Sequence, residues 1–168
     1  VKLGGQAAID LWQEGVGAWN AWVEANPVAD VSFRGADFTE FGGVSFKRFK
    51  FPTGNVDFSG TTFGDGDVEF SNITFGDGNV GFLRMVFKGL FLMRSNNNTH
   101  TIKKISFQGC VFESILILEG EFMCVPDLRG TITKTHVDLQ GLRVSPKFDG
   151  DPEKTAAALR RLKELAET

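Results

Sequence analysis

Apolar positions in the middle of this chain recur on two nested spacings, and those spacings dictate the local structure. Val44-Ser-Phe-Lys-Arg-Phe-Lys-Phe, Val56-Asp-Phe-Ser-Gly-Thr-Thr-Phe, Val68-Glu-Phe-Ser-Asn-Ile-Thr-Phe and Val80-Gly-Phe-Leu-Arg-Met-Val-Phe begin twelve residues apart. In each copy a Val stands two before a Phe, the period of a strand with one buried face. Phe takes the third and eighth positions, giving Phe46/Phe51, Phe58/Phe63, Phe70/Phe75 and Phe82/Phe87, so that steps of five and seven alternate. Gly64-Asp-Gly-Asp67 and Gly76-Asp-Gly-Asn79 separate the copies and would break any helix. The pattern predicts short strands joined by tight turns, each unit burying its apolar face only by stacking in parallel on its neighbours, with the rings in internal columns.

The pairs Val31/Phe33, Ala36/Phe38, Val44/Phe46, Val56/Phe58, Thr61/Phe63, Val68/Phe70, Ile73/Phe75, Val80/Phe82, Ile105/Phe107, Cys110/Phe112 and Ile115/Ile117 share one form, a small or apolar residue two before a large one. In this the chain resembles the pentapeptide-repeat proteins over roughly residues 31 to 145. The resemblance implies an all-β core, a right-handed parallel β-solenoid of quadrilateral section with both residues of each pair inward and one side per repeat. The seven-residue steps depart from that family. A coil of 24 residues with two enlarged corners would absorb them, and a flat two-sided coil of 12 residues is the competing geometry. The four-sided form is preferred, because facing sides of a flattened coil would overpack their rings.

The flanks read differently, giving an N-terminal capping segment (1–28), the repeats (29–148) and a C-terminal helix (149–168). Ile9, Trp12, Val16, Trp19 and Val23 form one face of a helix over 7–25, with Trp22 beside it and Pro27 ending it. That face is expected to cover the open end of the first coil, with a Trp-lined groove as the alternative. Phe41 and Phe49 fall off the frame and are expected in the cap interface rather than on an outward patch. An Asn-rich run interrupts the repeats and predicts a loop excursion near 93–104. Steps of five resume through Phe107, Phe112, Ile117 and Phe122, and Thr131 to Leu139 alternates as one strand. Asp151-Pro-Glu153 signals a helix start, followed by Leu159, Leu162 and Ala166 on one face. It is either a cap or the lead into further segments of a longer protein, as in longer bacterial relatives that continue into a membrane.

Composition sharpens this picture. Seventeen Phe and no Tyr suit a dry stack with no hydroxyls to satisfy. Net charge is −3, but residues 1–83 carry 5 Lys and Arg against 11 Asp and Glu, and residues 84–168 carry 13 against 10. Cys110 and Cys124 are expected as free thiols, pointing to a reducing, cytoplasmic setting. No apolar run is long enough to span a membrane, so any membrane contact is expected only through segments outside this chain.

No catalytic constellation is visible. His100 and His136 are isolated, no metal-ligand cluster or phosphate loop is present, and a ring-packed interior offers no substrate cavity. The expectation is a non-enzyme without cofactor or metal. Asp57, Asp65, Asp67, Glu69 and Asp77 lie in a stretch free of Lys and Arg, and stacked turns are expected to set Asp65 by Asp77, and Asp67 by Asn79, as an acidic interaction edge. Calcium ligation is the competing reading of these turns, but calcium-binding rolls repeat every nine residues, and Gly with Asp or Asn is ordinary turn chemistry. Two functions follow: a scaffold for an unknown protein partner, or, as in some acidic relatives, a duplex-DNA mimic that binds DNA gyrase or topoisomerase. Direct nucleic-acid binding is not expected.

Overall fold

The computed structural model describes residues 1–95, 104–144 and 151–168. Every strand pair among them is parallel, and the pairing interval explains the repeated phrase. Val31 pairs with Val56, Val56 with Val80, and Val44 with Val68, so the chain returns alongside itself two copies of the phrase later. At one corner the Asn79 amide bonds to the Asn55 side chain and the Asn55 amide to that of Asp30, at sequence separations of 24 and 25. Copies two apart therefore pair, and adjacent copies belong to different sheets. The interval is twice the spacing of the phrase, which disposes of the flat two-sided geometry.

Three parallel sheets result. The first holds Lys2–Gly4, Asp30–Ser32, Val56–Asp57, Asn79–Gly81 and Lys104–Ser106. The second joins Val86–Phe87, Val111–Phe112 and Ile132–Thr133, and the third runs from Val44–Ser45 through Val68–Ile73, Phe91–Ser95 and Leu116–Phe122 to Val137–Asp138. Between the third sheet and the next pass of the first, Lys50 bridges Thr74, and Gly120–Phe122 pairs with Leu142–Val144.

Ring packing follows from this register. Phe33, Phe58, Phe82 and Phe107 stack in one column at 4.9, 4.8 and 5.0 Å, with interplanar angles of 7°, 2° and 13°. Phe46 lies on Phe70 at 4.8 Å and Phe51 on Phe75 at 5.0 Å. Rings one phrase apart meet edge to face instead, as Phe58 and Phe70 do at 85°. Both arrangements suit the ring quadrupole. Phe46, Phe51, Phe58, Phe63, Phe70, Phe75, Phe82, Phe87, Phe107 and Phe112 are all buried. Each contributes about 1.5–3 kcal/mol by leaving water.

The fold is not all-β, because helices close it. Instead of one helix over 7–25, α1 (Gln6–Gln13) and α2 (Val16–Ala25) are separated at Gly15, whose φ of 95° is open to glycine alone at little cost. The break takes Val16 out of the expected stripe and leaves it exposed. Trp19 stacks on Phe33 at 5.8 Å and donates its indole N–H to the Lys50 carbonyl, while Trp12 sits edge-on to Phe38 at 5.1 Å and donates to the Ser45 carbonyl. Phe49 and Phe41 fill the space beneath these two indoles. At the other end α3 (Pro152–Ala166) begins with Asp151 accepting from the Glu153 amide, and it buries Ala158 and Leu165.

Three further expectations need correcting. Leu116 and Leu118 point inward in place of Ile115 and Ile117, since Leu116 pairs with Phe91 and Phe91 with Val68. The intervals from Val68 to Phe91 and from Phe91 to Leu116 are 23 and 25, so Leu116 keeps the frame of Val68; it is the step from Phe112 to Leu118, six residues in place of the expected five, that exchanges the two faces of the strand. Phe91–Ser95 is a strand rather than the start of an excursion, and Lys104 already belongs to the next one. Residues 96–103, with His100, lie outside the described residues. Finally, Thr131 to Leu139 is two short strands in different sheets with a corner between them, so its alternation spans a bend.

Candidate functional site

The five acidic residues are not gathered on one edge. Asp57 lies in the first sheet and Glu69 in the third. The Gly-Asp-Gly turns occupy different corners: a Cβ on Gly66 would overlap the Gly42 carbonyl, and one on Gly78 would overlap the Gly54 carbonyl. Stacking two phrases apart therefore sets Asp65 beside Lys88, at 2.8 Å, rather than beside Asp77. Asp77 belongs to the other corner, before Asn79–Gly81.

Their partners are mostly the neighbouring turns. Asp67 accepts from the Leu90 amide at 2.8 Å, and Asp57 accepts from the Ser59 amide at 2.8 Å while pairing with Arg34 at 3.4 Å. Glu69 accepts from the Ser71 hydroxyl at 2.5 Å. These carboxylates tie one pass of the chain to the next or cap a local turn. No group of three His, Cys, Asp or Glu among the described residues is placed to hold a metal ion. Cys110 and Cys124 are unlinked, and burial pushes both thiols up to about 11, so they are protonated and inert at neutral pH.

A different corner collects chemistry that the phrase concealed. Following the first sheet, the chain turns at Arg34-Gly35, Ser59-Gly60, Leu83-Arg84, Gln108-Gly109 and Arg129-Gly130, and these turns line one open groove of about 740 Å³. The second residue of every turn is left-handed, with φ of 74°, 73°, 53°, 72° and 67° in order. Four are glycine. Arg84 alone carries a side chain there. Arg129 forms a two-pronged pair with Asp127 at 2.8 and 2.7 Å. Burial pushes Asp127 up, but the hydrogen bonds and charge of Arg129 outweigh it and hold the carboxyl below its usual range.

The signal for this corner was present in Phe33-Arg-Gly, Phe58-Ser-Gly, Phe82-Leu-Arg, Phe107-Gln-Gly and Leu128-Arg-Gly, but it recurs at twice the spacing of the phrase and unevenly. No family model matches the sequence, and no curated protein or solved structure matches it. Among the described residues no helix is long and apolar enough to cross a membrane.

Proposed function

We propose that the chain is a right-handed, four-sided β-solenoid of pentapeptide-repeat type that acts as a non-enzymatic scaffold for a protein partner. The observation that carries this reading is the interior: stacked rings from Phe33 to Phe112 fill it, and recognition is left to the outer faces and corners. The near-constant parallel register supports the solenoid, since successive passes lie directly on one another.

The test is photo-crosslinking in cells from benzoylphenylalanine placed outward on each sheet, at Asp57, Val111 and Ser45, and at the corner residue Leu83. A scaffold gives protein crosslinks concentrated on one sheet or corner. Equal yields from all four positions, or none from any, contradict it. The acid excess of residues 1–83 favours DNA mimicry as a second reading. Inhibition of gyrase supercoiling that disappears with Asp65→Lys/Asp77→Lys would place mimicry first.

A further inference from the structure

We propose that the arginine corner is a docking groove for an extended acidic segment of the partner, with two carboxylates three residues apart. The proposal rests on the scaffold reading and names the chemistry of what the scaffold binds. Successive passes of a parallel stack are about 4.8 Å apart. Arg34, Arg84 and Arg129 stand on the first, third and fifth turns of the groove, and so about 10 Å apart. A chain in the polyproline II conformation rises about 3.1 Å per residue, which puts side chains three apart at about 9 Å. Four steps of the stack give the groove a length of about 19 Å, room for about six residues in that conformation.

The three arginines differ in how they are held. Arg34 and Arg129 each lean on an aspartate of the same corner, Asp57 and Asp127, which orients the guanidinium and leaves further N–H groups directed outward. Arg84 has no ion-pair partner among the described residues and is exposed. It also stands where the other four turns use glycine, in a backbone conformation that is strained for a side chain. The fold would be served as well by glycine there. Arg48, the other left-handed arginine, is held under α2 by a bond from the Asn20 amide to its carbonyl, and nothing comparable from a helix holds Arg84.

Planar guanidinium forks suit paired carboxylates. Leu83, 41% exposed in the same groove, offers an apolar shelf between the charges, and Gln108 supplies a donor and an acceptor for a peptide backbone. The acid excess of residues 1–83 disfavours a long polyanion, which unlike a short acidic segment extends beyond the groove.

Fluorescence anisotropy of the whole chain with a labelled Ala-Asp-Leu-Pro-Asp-Ala peptide tests this, beside the Asn-for-Asp peptide and a twelve-nucleotide oligothymidylate. The acidic peptide is expected to bind at least tenfold more tightly than either control and to weaken as salt rises. Arg84→Gly is expected to keep or raise the melting temperature while lowering peptide affinity at least fivefold. Equal binding of the Asn peptide, tighter binding of the oligonucleotide, or no effect of Arg84→Gly overturns the groove. An unbound peptide together with crosslinks clustered on another sheet overturns the groove and leaves the scaffold standing, so the two failures are told apart.

Discussion

Residues 44–87 pair at an interval of 24, whereas residues 91–144 pair at 25 and then at 21 or 22, and the side chains inside the third sheet differ between the two stretches. In the first stretch each copy of the phrase opens with an inward Val then Phe, and rings two copies apart lie nearly parallel. In the third sheet the sizes change over from Phe91: Phe91 and Met93 pair with Val68 and Phe70, and Leu116 and Leu118 pair with Phe91 and Met93 in turn. Large-plus-small becomes large-plus-flexible and then two medium residues. Backbone pairing thus fixes where a column runs, while the column constrains summed volume rather than residue type. The last pass is thinner again, with Val137, Leu139 and Leu142 only partly buried, and α3 lies against Val137–Asp138.

The largest effects should arise where backbone meets backbone. Gly66→Val is expected to abolish folding, because its Cβ would overlap the Gly42 carbonyl, whereas Gly81→Ala should cost under about 1 kcal/mol, since its Cβ meets only side-chain oxygens at 3.6 and 3.7 Å. Circular dichroism melts compare the two. Next come the columns: Phe70→Ala should lose about 3–5 kcal/mol in urea unfolding, against about 1–2 kcal/mol for the partly buried Leu139→Ala. Equal losses would erase the distinction between the two stretches.

Smaller effects sharpen the register. Leu118→Ala should cost about 2–4 kcal/mol and Ile117→Ala about 1 kcal/mol or less, and the reverse order would restore the five-residue step from Phe112 to Ile117. Smallest is the pH dependence from Asp127. Its folded pKa is depressed, so its contribution is present above the unfolded value of about 3.9 and is lost as pH falls through the lower folded value. Asp127→Asn should therefore flatten the acid limb of the stability curve, and an unchanged limb would remove Asp127 from that role.

Much of this fold could be read from residues 44–87, because Val and Phe two apart can satisfy only a strand, and the glycine turns set its length. The pairing interval could not, since a phrase repeated every twelve positions fits both a half-interval and a whole one. That ambiguity also misplaced the acidic residues: Asp65 and Asp77 are neighbours only if twelve is the full interval. Ile115-Leu-Ile-Leu118 gave no frame of its own, being apolar at both parities, and a step of six rather than five from Phe112 to Leu118 decided it. The arginine corner was hidden by its chemistry: Arg84 replaces the glycine that would have marked the turn.

The central claim is that the chain lies against itself two phrases on, not one. Ser45 and Glu69 are register partners whose side chains meet at 3.4 Å, and paired Cα atoms of a parallel ladder are about 4.8 Å apart, within disulfide range. Ser45→Cys/Glu69→Cys should oxidise to an intrachain disulfide and keep the native circular dichroism, while Ser45→Cys/Asp57→Cys, one phrase apart and in different sheets, should remain reduced. Ready oxidation of the second pair and not of the first would contradict the account.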